Sequence, residues 1–240
     1  MKGLIIALQF LTRLPTPRVT VDDGDFASSM RWFPAAGFVV GALVAGAAWL
    51  GALADGWVAA LAALAAWVGV TGALHLDGLS DLADASGAAH KDRERFLTVM
   101  ADPHVGSFGV VAIVLQLLGK LVLVHALLGA GTAGLAALIL IPFAARIGPL
   151  VWTISLPPLH AGVAAQFAQA VGIWHIALWA ATLGVSALVV PAMVVAVPLI
   201  ALWGLWLKRK LGGVSGDCHG AGIELVETGL LVAVLVLRHL

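Results

Sequence analysis

The sequence predicts an all-α fold: a polytopic integral membrane bundle of about seven transmembrane helices. Of its 240 residues, 61% are hydrophobic and 11% are charged, whereas soluble domains average roughly 45–50% apolar and about 25% charged residues. The mean hydropathy is +1.04. A soluble domain of this length would need far more charge to cover its surface. The composition therefore disfavours a soluble enzyme, a nucleic-acid-binding module and a disordered chain.

The amino-terminal segment, residues 1–10, is a short apolar run behind a lysine and resembles a secretion signal at first sight. It lacks a small-x-small cleavage site and continues directly into the polar residues 12–15. We therefore expect it to be retained, as an interfacial or packed amphipathic helix.

Seven apolar windows have the length of a spanning helix, which needs about 20 mostly apolar residues. Glycine, proline or charged residues separate them. The predicted spans are residues 33–54, 57–75, 108–129, 133–152, 173–190, 191–207 and 222–238. Alanine, glycine, leucine and valine dominate these windows, and small residues allow helices to pack closely in lipid.

The basic residues indicate the orientation, because lysine and arginine accumulate on the cytoplasmic side of membrane proteins. With seven spans, ten of the thirteen fall on one side: Lys2, Arg13, Arg18, Arg31, Lys91, Arg93, Arg95, Lys208, Arg209 and Lys210. The other side receives only Arg238. We therefore predict one transmembrane domain, residues 1–240, with cytoplasmic loops near residues 75–107 and 208–221 and an external carboxyl terminus. Thirteen acids balance the thirteen bases, so no net field suggests a nucleic-acid partner.

Three aspartates in the first loop are the most informative residues. If the segment is helical, Asp77, Asp81 and Asp84 fall within an arc of about 60° on one face. Like charges at this spacing repel each other, and a divalent cation would resolve the repulsion. Oxygen ligands suit Mg²⁺, or Mn²⁺, which often bind through one or two carboxylates and substrate phosphates. The alternative is a solvated acidic helix end.

The segment 102–109 ends the same loop. Asp102 followed by proline and an apolar run is typical of a helix start, with Asp102 as the N-cap. In a functional interpretation, Asp102 is a fourth carboxylate near the metal, and Gly106 and Gly109 allow helix amides to approach a phosphate. The two roles are compatible.

The second loop is rich in glycine between Leu211 and Ala221. Gly213 and Gly216 permit a backbone nest that binds an anion, and Asp217 is a candidate ligand for a metal or a ribose hydroxyl. A glycine-rich loop on its own is weak evidence for such a site.

Four ionisable residues lie inside predicted spans, where charge is costly and indicates function by default. Lys120 and Arg146 are candidates for neutralising buried acids or for binding a diphosphate. The alternative is that their long side chains extend to the membrane–water interface. Glu224 and Glu227 open the last span. His75 adjoins the acidic stripe but points away from it on an ideal helix. No metal-ligand spacing occurs among His90, His125, His160, His175, His219 and His239.

These motifs, in this order, resemble the cobalamin synthase family, the adenosylcobinamide-GDP ribazoletransferases. The resemblance spans nearly the whole chain. The segments that show the resemblance are residues 10–18, Phe33-Pro34 with Gly37 and Gly41, Thr71-Gly72 through Asp84, Asp92 through Gly109, and Leu211 through Glu227. Ser215, where threonine is expected, and Cys218-His219 are mild departures.

The resemblance implies a membrane transferase of cobalamin biosynthesis. A hydroxyl of α-ribazole, or of its 5′-phosphate, attacks the cobinamide-side phosphorus of adenosylcobinamide-GDP and expels GMP. Mg²⁺ held by Asp77, Asp81, Asp84 and Asp102 would bridge the diphosphate. Arg93, Arg95, Lys120 or Arg146 would add positive charge, and Asp84 or Asp81 would accept the proton. The implied location is the bacterial inner membrane, with the site facing the cytoplasm; a monomer and a homo-oligomer both fit.

Two other functions are compatible with parts of the pattern. A CDP-alcohol phosphotransferase also uses an aspartate-rich membrane helix, but its signature continues from the Asp-Gly pair to Ala-Arg, whereas Asp81 follows Ser80 here. A cation- or proton-coupled transporter would use Lys120, Arg146, Glu224 and Glu227 as relay groups. Such groups belong near the bilayer midplane, whereas most acids here crowd one face.

Overall fold

A computed structural model describes residues 2–88, 92–160, 163–168 and 170–238, and the described chain is all-α. Lys91, His90 and His239 lie outside the described residues. Within them, the helices are α1 (Lys2–Leu11), α2 (Asp23–Ser29), α3 (Phe33–Gly51), α4 (Gly56–Thr71), α5 (Leu74–Ala88), α6 (Arg93–Met100), α7 (Ser107–Leu128), α8 (Thr132–Ala145), α9 (Gly148–Ser155), α10 (Val163–Ala168), α11 (Ile173–Ala187), α12 (Ala196–Lys210) and α13 (Gly216–Leu237). Short 3₁₀ turns, Met30–Trp32 and Pro191–Val195, precede α3 and α12.

Five helical stretches among the described residues are long and apolar enough to cross a membrane, and a sixth crossing results if α4 and α5 count as one broken span. The chain is therefore an integral membrane protein. The predicted break at Pro191 is confirmed, because α11 ends at Ala187 and a 3₁₀ turn begins at the proline.

The predicted second span, residues 57–75, is interrupted by a sharp bend. The axes of α4 and α5 differ by 85°, because Gly72 and Ala73 both have left-handed backbone angles, with φ of 60° and 59°. Glycine adopts this conformation without strain, whereas alanine does so rarely. The bend turns α5 away from the path of α4, so the interval predicted as a polar loop contains two helices, α5 and α6.

Helices α3, α4 and α8 form one half of the bundle core. Gly37 lies against Phe143, and Gly41 lies against Ile139, so α3 and α8 are antiparallel. A Cβ on Gly37 would approach the backbone of Phe143 to 2.7 Å. These glycines are thus needed for the close approach of the two helices.

Helices α7 and α13 run parallel, and α5 crosses the ends at which both begin. Gly109 contacts Asp84 of α5, and Gly78 of α5 lies against Asp217 of α13. At the far ends, Arg238 donates to the Gly129 carbonyl at 3.4 Å. We call the end that holds Asp77, Asp81 and Asp217 the acidic end, and the end that holds Gly129 and Arg238 the opposite end.

The amino-terminal helix packs at the acidic end, which is one of the two arrangements, interfacial or packed, expected for it from the sequence. Ala7 and Leu11 are buried in an apolar cluster with Met30, Phe33 and Phe167. Much of the remaining apolar surface faces outwards along α7 and other spanning helices, as expected for helices in contact with lipid.

Candidate functional site

Asp84 joins α5 to the start of α7. Its carboxylate is 8% exposed and accepts hydrogen bonds from the backbone amides of Gly106, at 2.8 Å, and Gly109, at 2.9 Å. The amides of Gly106 and Gly109, predicted to approach a phosphate, thus bind a carboxylate of the protein itself. A carboxylate at a helix amino terminus is favoured by the partial positive charge there. Asp84 therefore positions α7, and its predicted role as a metal ligand stays a prediction.

Asp77 and Asp81 lie close to Asp217, at the start of α13. The charges of Asp77, Asp217 and Asp84 all act on the half-buried Asp81 carboxylate. The two helices touch here, because a Cβ on Gly78 would lie 2.7 Å from the Asp217 carbonyl oxygen. The structure thus confirms that α5 is helical and adds Asp217 to the acidic group.

The acidic group does not enclose a metal by itself. Among the described residues, no three His, Cys, Asp or Glu side chains are arranged to hold a metal ion. Neither Asp77 nor Asp81 has a side-chain hydrogen bond in this part of the structure. Two carboxylates together with substrate phosphate oxygens are nevertheless a usual Mg²⁺ environment, so the donor set fits a metal that binds together with a diphosphate.

Asp102 is not the N-cap of the next helix, contrary to prediction. Helix α7 begins at Ser107, and its N-cap is Gly106, four residues after Asp102. Asp102 is exposed and accepts from the backbone amide of His104 at 3.0 Å and contacts its ring Nδ1 at 2.7 Å. The backbone and ring hydrogen bonds of His104 lower the pKa of the Asp102 carboxyl. The helix starts later because Asp84 supplies the carboxylate that satisfies its first amides.

The four ionisable residues of the predicted spans form one buried network. Lys120 Nζ lies 2.7 Å from Glu224 Oε2 and 2.6 Å from Glu227 Oε2, and Arg146 Nη1 lies 2.9 Å from Glu227 Oε1. Two cations balance two anions, as burial in a low-dielectric interior requires. Their predicted roles in binding the substrate stay predictions, and the closed ion pairs favour a positioning role.

Gln116 and Trp67 complete this network. The Gln116 amide donates to Glu224 Oε2 at 2.7 Å and to Thr228 Oγ1 at 2.8 Å. The Lys120 ammonium also lies 4.5 Å from the centre of the Trp67 ring, a cation–π contact. Sequence analysis missed both residues. A glutamine four residues before a lysine in an apolar span was the available signal, because that spacing places both on one helix face.

The remaining candidates connect loops. Arg93 Nε donates to the Leu211 carbonyl at 2.8 Å and so joins the start of α6 to the end of α12. Gly213 packs closely, since a Cβ there would lie 2.6 Å from the Pro157 carbonyl oxygen. Gly216 begins α13, behind the N-cap Ser215.

A cavity of about 200 Å³ opens beside the acidic group. Asp77 and Asp217 lie on its wall with the rings of Phe10, Phe33 and Phe167 and the imidazole of His75. It is thus an apolar, aromatic space that carboxylates border.

His75 is 3% exposed and connects the cavity to the buried network. Its Nδ1 lies 3.5 Å from Arg146 Nη2, whereas its Nε2 has no hydrogen-bond partner among the described residues. A guanidinium can only donate, so Nδ1 accepts and Nε2 carries the hydrogen. Sequence analysis placed His75 away from the acids and gave it no role. The bend at Gly72–Ala73, which the sequence did not reveal, directs it into this space.

Comparison with known proteins decides the family. A family model described as cobalamin-5-phosphate synthase matches residues 3–235. The chain belongs to this family. A relative from Novosphingobium aromaticivorans, named adenosylcobinamide-GDP ribazoletransferase, is 65% identical over 98% of this chain and 97% of its own length. Relatives of the same name from Thiobacillus denitrificans and Deinococcus radiodurans are 51% and 40% identical, over 97% and 94% of this chain and 94% and 82% of their own lengths.

No solved structure matches this member of the cobalamin-5-phosphate synthase family. The arrangement of its acidic group therefore rests on the contacts described above. The family match covers both loops that hold candidate residues, because it extends from the first helix almost to the end of α13.

Proposed function

We propose that this chain is an adenosylcobinamide-GDP ribazoletransferase, a membrane enzyme that produces adenosylcobalamin, or its 5′-phosphate, and GMP. The chain is 65% identical to a relative with that name over nearly its whole length. The observation that carries the site is the crossing of α5 and α13, which brings Asp77, Asp81 and Asp217 together beside a cavity.

The reaction is a displacement at phosphorus. A ribose hydroxyl oxygen other than the 5′-oxygen, in α-ribazole or in its 5′-phosphate, forms a bond to the cobinamide-side phosphorus. The bond from that phosphorus to the bridging oxygen breaks, and GMP leaves with the electron pair. The hydroxyl proton passes to a carboxylate.

Asp81 is the carboxylate best placed to accept this proton. Asp84, the alternative, already accepts two backbone amides, whereas the Asp81 side chain has no hydrogen-bond partner among the described residues. Asp81 is also half-buried between Asp77 and Asp217, where a bound nucleophile would be shielded from water.

Asp77 and Asp81 would hold Mg²⁺, or Mn²⁺, which supplies positive charge to the diphosphate. Asp217 lies in the same group and is available to a ribose hydroxyl or to the metal. We further propose that the protein resides in the bacterial inner membrane and that its acidic end faces the cytoplasm. The basic residues near that end, including Arg13 and Arg93, agree with the positive-inside rule.

The test is GMP release from adenosylcobinamide-GDP and α-ribazole by purified enzyme in lipid, with Mg²⁺ or with a chelator. We expect release that needs the metal and is lowered at least about 100-fold by Asp77→Asn, because one oxygen ligand loses its charge.

Asp55→Asn is the matched control. Asp55 caps α4 through the amides of Trp57 and Val58, and asparagine caps a helix equally well. Its activity should equal that of the wild type. Full GMP release by Asp77→Asn would reject the site, and the absence of release by the wild type would reject the function.

A further inference from the structure

The cavity beside the acidic group has the chemistry of a site for a planar aromatic ring. Phe10, Phe33 and Phe167 pack together on its wall, with ring centroids 5.5–5.9 Å apart. Aromatic rings prefer such offset and edge-to-face neighbours. The volume of about 200 Å³ is below the roughly 300–1,000 Å³ of pockets for drug-sized ligands. It suits one heterocycle rather than a whole nucleotide or a corrin ring.

His75 gives this cavity a polar group without a partner. The His75 side chain lines the cavity, is 3% exposed and has no hydrogen-bond partner for Nε2 within the described chain. A buried donor without an acceptor is destabilising, because it loses its hydrogen bonds to water and gains none in the protein. Such a group indicates a ligand that brings an acceptor.

We propose that the cavity binds the benzimidazole base of α-ribazole, whose free ring nitrogen accepts a hydrogen bond from His75 Nε2–H. The inference rests on the proposed function, because it takes α-ribazole as a substrate. The base of α-ribazole has one free acceptor and no donor, which matches one unpartnered donor in an aromatic wall. The ribose of the bound nucleoside lies towards Asp77 and Asp217, the carboxylates that border the cavity.

Guanine, like the adenine of the adenosyl group in the same substrate, fits this cavity poorly. It carries several donors and acceptors around its edge, and each one left unpaired on burial would cost free energy. The second histidine of the wall, His219, already has its Nε2 3.2 Å from Thr153 Oγ1. The cavity thus favours the base of α-ribazole, which has few polar groups, over the more polar guanine of the other substrate.

The first experiment measures binding of α-ribazole alone, by equilibrium dialysis with purified protein in lipid, and then the KM for each substrate. Phe167→Leu should weaken binding of α-ribazole and raise its KM about 5- to 10-fold, since one aromatic neighbour is lost. The KM for adenosylcobinamide-GDP should stay unchanged. Phe38→Leu is the control. Phe38 stacks on Phe143, with ring centroids 4.1 Å apart, and it does not line the cavity.

The second experiment tests the hydrogen bond. The indole analogue of α-ribazole keeps the ring shape but lacks the free nitrogen acceptor. The wild type should prefer α-ribazole to this analogue about 10-fold. His75→Phe should bind both equally, a loss of discrimination that a purely structural role would not produce.

Each outcome decides the inference. An unchanged affinity of Phe167→Leu for α-ribazole, or a rise in KM for adenosylcobinamide-GDP alone, would overturn it, and so would equal binding of the two analogues by the wild type. If His75→Phe does not fold, the proposal is still tested by the affinity of Phe167→Leu for α-ribazole and by the preference of the wild type for α-ribazole over the indole analogue. Wild-type protein that binds α-ribazole but releases no GMP would refute the proposed function and leave the base site supported.

Discussion

Asp84 and Asp77 show how neighbouring carboxylates on one helix acquire different tasks. Asp84 is buried, and its oxygens accept the Gly106 and Gly109 amides. Asp77 is exposed, borders the cavity and has no such bonds among the described residues. A carboxylate with satisfied oxygens organises the protein, whereas one with free oxygens is available to a metal or substrate.

The buried network predicts a specific pattern of stability at the residue scale. Lys120→Met leaves Glu224 without its cation, and Glu224→Gln leaves two cations, Lys120 and Arg146, on the single anion Glu227. Breaking one partner of a buried pair costs about 3–5 kcal/mol, so each variant should lower the melting temperature in lipid. The double variant keeps the Arg146–Glu227 pair, which is 2.9 Å long, and removes one charge of each sign.

The double variant should therefore melt above either single variant, because no uncompensated buried charge remains. Gln116 can still donate to the glutamine oxygen at position 224, as it does to Glu224 Oε2. If the double variant lost as much in melting temperature as the two single variants together, the two residues would not act as a pair. Activity is measured on the same samples, and activity loss in a stable double variant would assign Lys120 or Glu224 a role in the reaction.

At the scale of elements, the site depends on how closely α5 and α13 approach. A Cβ on Gly78 would lie 2.7–2.8 Å from the backbone of Asp217, nearer than real Cβ contacts allow. Gly78→Ala should thus displace α13 relative to Asp77 and Asp81 and lower GMP release at least about 10-fold, since misplacement by about 1 Å can cost about 100-fold.

Gly46→Ala is the matched control for this crossing. Gly46 also lies within a spanning helix, α3, but a Cβ there meets no atom within 4 Å. Alanine in an open helical position favours the helix, so activity and melting temperature should be kept. If Gly78→Ala retained full activity, the two helices would not need this contact for catalysis.

The sequence predicts individual elements better than their junctions. The spacing of Asp77, Asp81 and Asp84 places them on one face if the segment is helical, and the segment is helical in α5; periodicity of this kind is a local property. The bend before it depends on Ala73 in a left-handed conformation, which alanine adopts only when its surroundings impose it. The pairing of Lys120 with Glu224 and Glu227 likewise joins α7 to α13 across more than 100 residues, and no local pattern encodes such a contact.

At the scale of the whole molecule, contacts between helix ends indicate seven passes through the bundle, whereas length and composition identify five or six spans among the described residues. Leu159 bonds to Val214 just before α13 begins, at the acidic end, and Ala170 accepts a hydrogen bond from Arg31, before α3. Pro191 lies with Ala130 and Arg238 at the opposite end. The chain must cross between residues 170 and 191, and α11 is the described helix that does so. Its 15 residues are fewer than the roughly 20 of an average span, which is why length alone does not identify it.

Seven passes place the two chain ends on opposite sides of the membrane, and this can be tested with reporters. A phosphatase that is active only outside the cytoplasm should be active after Arg238, and a fluorescent protein that matures only inside should be dark there. Inserted next to Lys210, both reporters should give the reverse result, because α12 ends at the acidic end. Inserted at Leu53, between α3 and α4, they should match the result at Arg238. A cytoplasmic signal at Arg238 together with an external signal at Leu53 would mean that α11 does not cross, and the predicted cytoplasmic position of Lys208, Arg209 and Lys210 would fail with it.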